Sequence, residues 1–211
     1  MKIPKNQRSK NQNQQNWWKN YTASLRYFKQ NPALFMPYIS QMIIMILLMT
    51  IPVILVPYTQ EVLNADSWTF AMFEALYSAG VFIGALLSPL FCKVLSIRKT
   101  LALLFAFMAI DLIILSVNTH TLLAFPVYFM IGFGLSSWAL SISLSQLSCE
   151  PEYQGRVQAS FNGIPGCFIL GIYLFMARDT NGISPQFIYF LQSIIAVAGI
   201  FIVLFYKNEK Q

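Results

Sequence analysis

Apolar residues in this chain gather into six long runs, over about 33–57, 68–92, 100–117, 122–147, 157–177 and 185–206. At about 1.5 Å of rise per residue, each run reaches most or all of the way across a hydrocarbon core of about 30 Å. The pattern predicts an all-α integral membrane protein with six transmembrane helices, arranged as two inverted three-helix repeats (33–117 and 122–206) joined by the polar turn Asn118-Thr119-His120. In the first run, Pro37 falls in the opening turn, whereas Pro52 and Pro57 predict a kink or break at its far end. A polar loop over 58–67, carrying Glu61 and Asp66, is expected to follow.

Residues 1–30 contrast with these runs. They are rich in Asn, Gln and Lys and show no apolar period before Trp17 and Trp18, so 1–16 is expected to be disordered. Trp17, Trp18, Tyr21, Tyr27 and Phe28, interleaved with Lys19, Arg26 and Lys29, suit either an aromatic anchor at the membrane interface or a short amphipathic helix on the inner leaflet. Residues 207–211 read as a cytoplasmic tail.

Charge orients the spans. Of the 14 Lys and Arg residues, seven lie in the first 29 positions. Lys93, Arg98 and Lys99 follow the second run, Arg156 follows the fourth, and Lys207 and Lys210 follow the sixth. Only Arg178 falls in another connection, an asymmetry that places both termini in the cytoplasm and the chain in the cytoplasmic (inner) membrane. Apolar residues make up 56% of the chain and charged ones 10%, against about 25% charged in an average soluble domain. The formal charge of +6 is divided among loops, which suits anionic headgroups of the lipid bilayer rather than nucleic acid. The polar start is too long for a signal peptide. Cys92, Cys149 and Cys167 are an odd number without metal-like spacing, so neither a disulfide, a metal nor a cofactor is expected.

Small residues recur at one-turn spacing. Gly80, Gly84 and Ser88 form such a row on the second run, Ser137, Ser141 and Ser145 on the fourth, and Gly163, Gly166 and Gly171 a looser one on the fifth. Such rows are expected to be helix–helix seams, although a serine row can also line a polar path. Pro165 is expected to bend the fifth span. Two acidic residues lie inside spans, Glu74 and Asp111, each about two turns below the outer end of its helix. That placement suggests similar depth, and a role as proton-coupling groups; the alternative is that each snorkels or bonds to a neighbouring Ser or Tyr. Ser40, Gln41, Thr50, Ser78, Ser141 and Gln146 are candidates to line a cavity.

Several six-span chemistries are excluded. Asn31-Pro32-Ala33 spells the aquaporin signature but precedes the first span and has no second copy to meet. Intramembrane serine proteolysis needs a histidine on a later span, and the single histidine, His120, lies in a turn. No phosphate-binding or dinucleotide fingerprint occurs, and catalysis is not expected.

The connection Ser148-Cys149-Glu150-Pro151-Glu152-Tyr153-Gln154-Gly155-Arg156-Val157 resembles the Pro-Glu-x-x-x-Gly-Arg loop between the tenth and eleventh spans of major facilitator superfamily transporters. The residues that carry the likeness are Pro151, Glu152, Gly155 and Arg156. The first span, with Pro52 and Pro57, looks like the seventh helix of the drug, macrolide and siderophore exporter branch, and the second, with Gly80, Gly84 and Pro89, like its eighth. The resemblance covers about residues 30–206 and implies the C-terminal six-helix half of a twelve-span carrier. It implies proton-coupled export of a small amphipathic molecule, with a second six-helix half or a second copy as partner. A non-transporting membrane subunit or scaffold, or the remnant of a split carrier, is the alternative. One departure stands out: where that family carries Asp-Arg-x-Gly-Arg-Arg, this chain has Lys93-Val94-Leu95-Ser96-Ile97-Arg98-Lys99, without the Asp and the Gly.

Overall fold

The computed structural model describes residues 17–178 and 183–205, which are helical apart from short connections, with no strand among them. The expectations for 1–16 and for the tail beyond 205 fall outside the described residues. Helix α1 (Trp17–Gln30) does more than anchor. Its Tyr27 stacks on Tyr153 with ring centroids 4.2 Å apart, and its Phe28 packs 4.3 Å from the Phe161 ring, so its C-terminal half docks on a later helix.

A short 3-10 turn (Pro32–Leu34) leads into α2 (Phe35–Pro57). Neither proline breaks it: Pro52 lies within the helix, and beyond Pro57 the chain continues as a wider π turn (Tyr58–Val62), in which the Leu63 N–H reaches the Tyr58 carbonyl at 3.1 Å. A proline lacks the N–H that closes its own turn and crowds the carbonyl four residues back; closing the next turn one residue wider takes up that crowding. The loop expected at 58–67 therefore shrinks to 63–66.

Asp66 then caps α3 (Ser67–Leu95), accepting from the Thr69 N–H (2.9 Å) and the Thr69 hydroxyl (2.7 Å). These bonds hold its carboxyl below the usual carboxylate range. A turn on the single residue Ser96 reverses the chain into α4 (Ile97–Val117), with Ser96 at φ 75°. The fourth apolar run divides at Ser136 into α5 (Thr121–Leu135) and α6 (Ser137–Ser148). Ser136 bonds back to the Phe133 carbonyl through both its N–H (3.2 Å) and its hydroxyl (2.7 Å), and this hydroxyl competition for backbone interrupts the helix. The segment 151–156, expected as a loop, is the beginning of α7 (Pro151–Arg178). Proline suits the first helical position and a glutamate suits the first turn, where free N–H groups point at it. Helix α7 continues through Pro165, and α8 (Pro185–Phe205) closes the described chain.

Six helical stretches are long and apolar enough to cross a membrane: Pro32–Val62, Ser67–Leu95, Ile97–Val117, Thr121–Ser148, Pro151–Leu174 and Pro185–Phe205. Their packing is uneven. The broadest contacts join α4 to α8 and α3 to α5, and α2 touches α6, α7 and α8. The core between them is built from Leu47, Ile51, Ile54, Phe105, Met108, Leu112, Tyr128 and Ala196. Backbones approach closely at glycines. A Cβ on Gly80 would collide with the Phe129 carbonyl, one on Gly132 with the Tyr77 carbonyl, and one on Gly84 would stand 2.7 Å from the Phe133 oxygen. Helix α7 is the opposite case. Gly155, Gly163, Gly166 and Gly171 have no neighbour within 4 Å of where a Cβ would stand, so the row expected to be a seam is open within this chain.

Candidate functional site

The most extended polar arrangement crosses three helices. Ser145 on α6 donates its hydroxyl to the Gln41 side-chain oxygen on α2 (2.9 Å), and Gln41 donates its amide to the Asn162 oxygen on α7 (3.3 Å). The same oxygen accepts from Gln158 one turn earlier (3.2 Å), while the Gln158 oxygen is buried without a partner. Gln41 and Ser145 are buried, but Asn162 is exposed. It stands near the middle of the apolar stretch Pro151–Leu174. Exposed Ser143 and Gln146 lie on α6, and exposed Ser78 on α3. Ser40 is buried with an unpartnered hydroxyl, and the Ser137, Ser141 and Ser145 row is wholly buried. Ser141 bonds back to the Trp138 carbonyl (3.0 Å), and Ser88 to that of Gly84 (2.7 Å).

A second cluster lies at the end of the bundle away from Arg98. The Tyr58 hydroxyl donates to the Asn118 carbonyl (3.1 Å), the Asn118 amide donates to the Tyr58 oxygen (3.0 Å), and the Gln186 amide reaches the same carbonyl (3.0 Å). Tyr128 and Tyr189 share a hydrogen bond between their hydroxyls, and the Tyr58 and Tyr189 rings meet edge to face at 5.2 Å. Half-buried Glu74 lies within electrostatic reach of Tyr77, Tyr128 and Tyr189.

Asp111 stands apart from both. It is 7% exposed, and its Oδ2 is buried with no hydrogen-bond partner. Counted from the Ser96 turn at about 1.5 Å per residue, Glu74 lies roughly 33 Å along α3 and Asp111 roughly 22 Å along α4. Helix α3 is eight residues longer than α4 (29 against 21).

At the basic end, Tyr27 and Tyr38 close over Cys149, where burial pushes the thiol up and keeps it in the unreactive protonated form. The Gln154 amide ties the start of α7 to the Gln146 and Cys149 carbonyls (2.7 and 3.1 Å). Pro151, Glu152, Gly155 and Arg156 are all exposed on that first stretch of α7. Among the described residues no group of His, Cys, Asp and Glu could hold a metal ion.

No protein-family model matches this chain, and no curated protein matches it. The Asn162 bridge escaped sequence reading because Gln41 lies more than a hundred positions from both Ser145 and Asn162. An amide in mid-span, as at Gln41 and Asn162, was the signal available.

Proposed function

We propose that the chain is a six-helix half of a major-facilitator-type carrier that exports a small amphipathic molecule, coupled to protons, and works against a second half or a second copy. The observation that carries this reading is Asn162. Its oxygen is matched by Gln41 and Gln158, but an amide NH2 facing hydrocarbon at mid-span would lose its hydrogen bonds to water without replacement, a loss of the kind that costs several kcal/mol. Its exposure therefore argues for a wet cavity or a second protein wall against α2, α6 and α7.

Two further features support the reading. If α2 is exchanged with α5/α6, α3 with α7, and α4 with α8, the α3–α5 contact becomes α7–α2, and α4–α5 becomes α8–α2. The α4–α8 and α2–α6 contacts map onto themselves, whereas α3–α4 has no α7–α8 counterpart of like extent among the described residues. Ser96 is the second. The family's motif in this connection contains a glycine, and the φ of 75° at Ser96 is a backbone conformation that favours glycine.

The test is reconstitution into proteoliposomes with an acid-inside or acid-outside gradient, together with the native mass of the purified assembly. A paired assembly that moves an amphipathic dye in response to the gradient is the expected result. Dye movement by the isolated single chain would overturn the requirement for a second wall. A stable assembly with no movement of any amphipathic probe would favour the scaffold reading, to which the open glycine row on α7 also lends itself.

A further inference from the structure

Helix α1 meets the bundle through one residue of connecting chain and a face headed by two aromatic rings. Asn31 is the single residue between α1 and the 3-10 turn (Pro32–Leu34), and its backbone is not helical (φ −118°, ψ 81°), as a residue before proline prefers. On the docked face Ser24 is buried and Tyr27 and Phe28 are half-buried, at the three- and four-residue spacing of one side of a helix. Arg26 and Lys29, on the other side, are exposed.

The surface that receives this face is a second, smaller core of Leu34, Tyr38, Cys149, Val157 and Phe161, which shares no buried residue with the main one. Phe28 packs 4.3 Å from the Phe161 ring and meets Tyr38 edge to face at 6.1 Å, while Tyr38 and Phe161 lie 4.9 Å apart. Tyr27 stacks on Tyr153, and its hydroxyl accepts from the Glu150 N–H at 3.4 Å. The position of this core is the informative point. Tyr38 precedes Gln41 by three residues on α2, Cys149 follows Ser145 by four at the end of α6, and Phe161 directly precedes Asn162 on α7. Each member of the polar bridge thus has an aromatic or thiol neighbour on the side toward the basic end, and Tyr27 and Phe28 complete the closure there.

We infer that α1 is a hinged lid: docked, Tyr27 and Phe28 seal the basic end of the Gln41, Ser145 and Asn162 bridge, and swung about Asn31 they open it. A hinge of this kind needs only a residue or two that can absorb the backbone change. The open state has a place for both faces of the helix. Tyr27 and Phe28 would pass into the headgroup region, where aromatic rings are at ease, and Arg26 and Lys29 would lie in water or among anionic headgroups. The main core keeps all of its buried residues in either state. Gating of a substrate by this lid rests on the carrier reading above, whereas the hinged movement of α1 does not.

The experiment uses the full chain in lipid nanodiscs, with Cys92 and Cys167 replaced by serine, and follows alkylation of the buried Cys149. A buried thiol reacts only through local opening. Tyr27→Ala with Phe28→Ala should speed the reaction at least about tenfold, the factor that two lost ring contacts make. The SDS midpoint by far-UV circular dichroism should stay in place, and Lys29→Ala, on the other face, should change neither. An unchanged alkylation rate, or one that rises only as the SDS midpoint falls, would overturn the lid and make α1 part of the main fold. In proteoliposomes without other cysteines, Tyr27→Cys and Tyr153→Cys bridged by a short bis-methanethiosulfonate should stop dye flux until reductant frees the pair. Flux that continues through the bridged protein would overturn the gating. Absence of flux from the unbridged protein too would count against the carrier reading alone, and the thiol rates would still decide the lid.

Discussion

Gly80→Ala and Gly166→Ala are the same chemical change with opposite expected signs. In an exposed helix interior, replacing glycine by alanine removes backbone freedom from the unfolded chain and stabilises by about 0.8–1 kcal/mol. At Gly166 nothing lies within 4 Å of the new methyl group, so this gain stands alone. At Gly80 the methyl would meet the Phe129 carbonyl and stand 2.9 Å from the Phe133 nitrogen. Both obstacles are backbone of α5, which cannot rotate away as a side chain can. The helices would have to part, and on the same seam Gly132 is in equally close contact with α3. Overpacking of this kind costs about 1–3 kcal/mol, so Gly80→Ala should destabilise by up to about 2 kcal/mol after the propensity gain. The two variants should differ by the overpacking cost, about 1–3 kcal/mol. Titration with SDS in mixed micelles measures it, following far-UV circular dichroism and modification of the buried Cys149 thiol in a background with Cys92 and Cys167 replaced by serine. A Gly80→Ala variant as stable as Gly166→Ala would refute close approach of α3 and α5.

Ser96→Gly should stabilise by about 1–2 kcal/mol in the same titration, because serine is held at a φ of 75° that glycine adopts freely. The Asp66 cap contributes above the unfolded pKa of about 3.9 and is lost as pH falls through its lowered folded value, so Trp68 fluorescence should report loosening of the first turn of α3 in acid. Asp66→Asn, which still caps, should remove that acid transition. For topology, an impermeant maleimide applied outside cells should label Gln60→Cys and spare Asn208→Cys; the reverse pattern would invert the assignment. In proteoliposomes, Asp111→Asn or Glu74→Gln should abolish gradient-driven dye flux while leaving the fold intact, and undiminished flux in the double variant would remove both from proton coupling.

What the sequence revealed and what it concealed divide along one physical line. Membrane spans announce themselves by composition, since lipid demands about twenty apolar residues whatever their partners. Four of the six long apolar helical stretches lie within a few residues of the apolar runs in the sequence, while Pro32–Val62 and α7 run longer because the chain stays helical past Pro57 and starts α7 at Pro151. Facing is another matter. In a soluble helix the polar face points outward and the period shows it. In a helix such as α5, apolar on all sides, no stripe distinguishes lipid from neighbour. The glycine rows illustrate the consequence: Gly80 and Gly84 lie against backbone, and Gly163 and Gly166 lie against nothing. Spacing was the same kind of evidence in both.

Polar residues are the exception, because each must find a partner inside the bilayer. Gln41, a cavity-lining candidate from sequence, bridges Ser145 and Asn162, and Thr50 is matched by Gln192. Neither Asn162 nor Gln192 drew notice beside the two carboxylates, since neutral amides are cheaper to bury and less conspicuous than charge. Yet the amides carry the more informative geometry. The Asp111 Oδ2 is buried without a hydrogen-bond partner, whereas Asn162 is joined to α2 through Gln41 and to Gln158 one turn back on its own helix, and is open on its remaining side. A carrier needs groups that can bond alternately to substrate, water and protein, and an amide with one side committed and one side free meets that need without any charge to desolvate. On the reading proposed above, the path of a substrate should therefore follow the α2, α6 and α7 amides and hydroxyls, with Glu74 and its tyrosines at the far end.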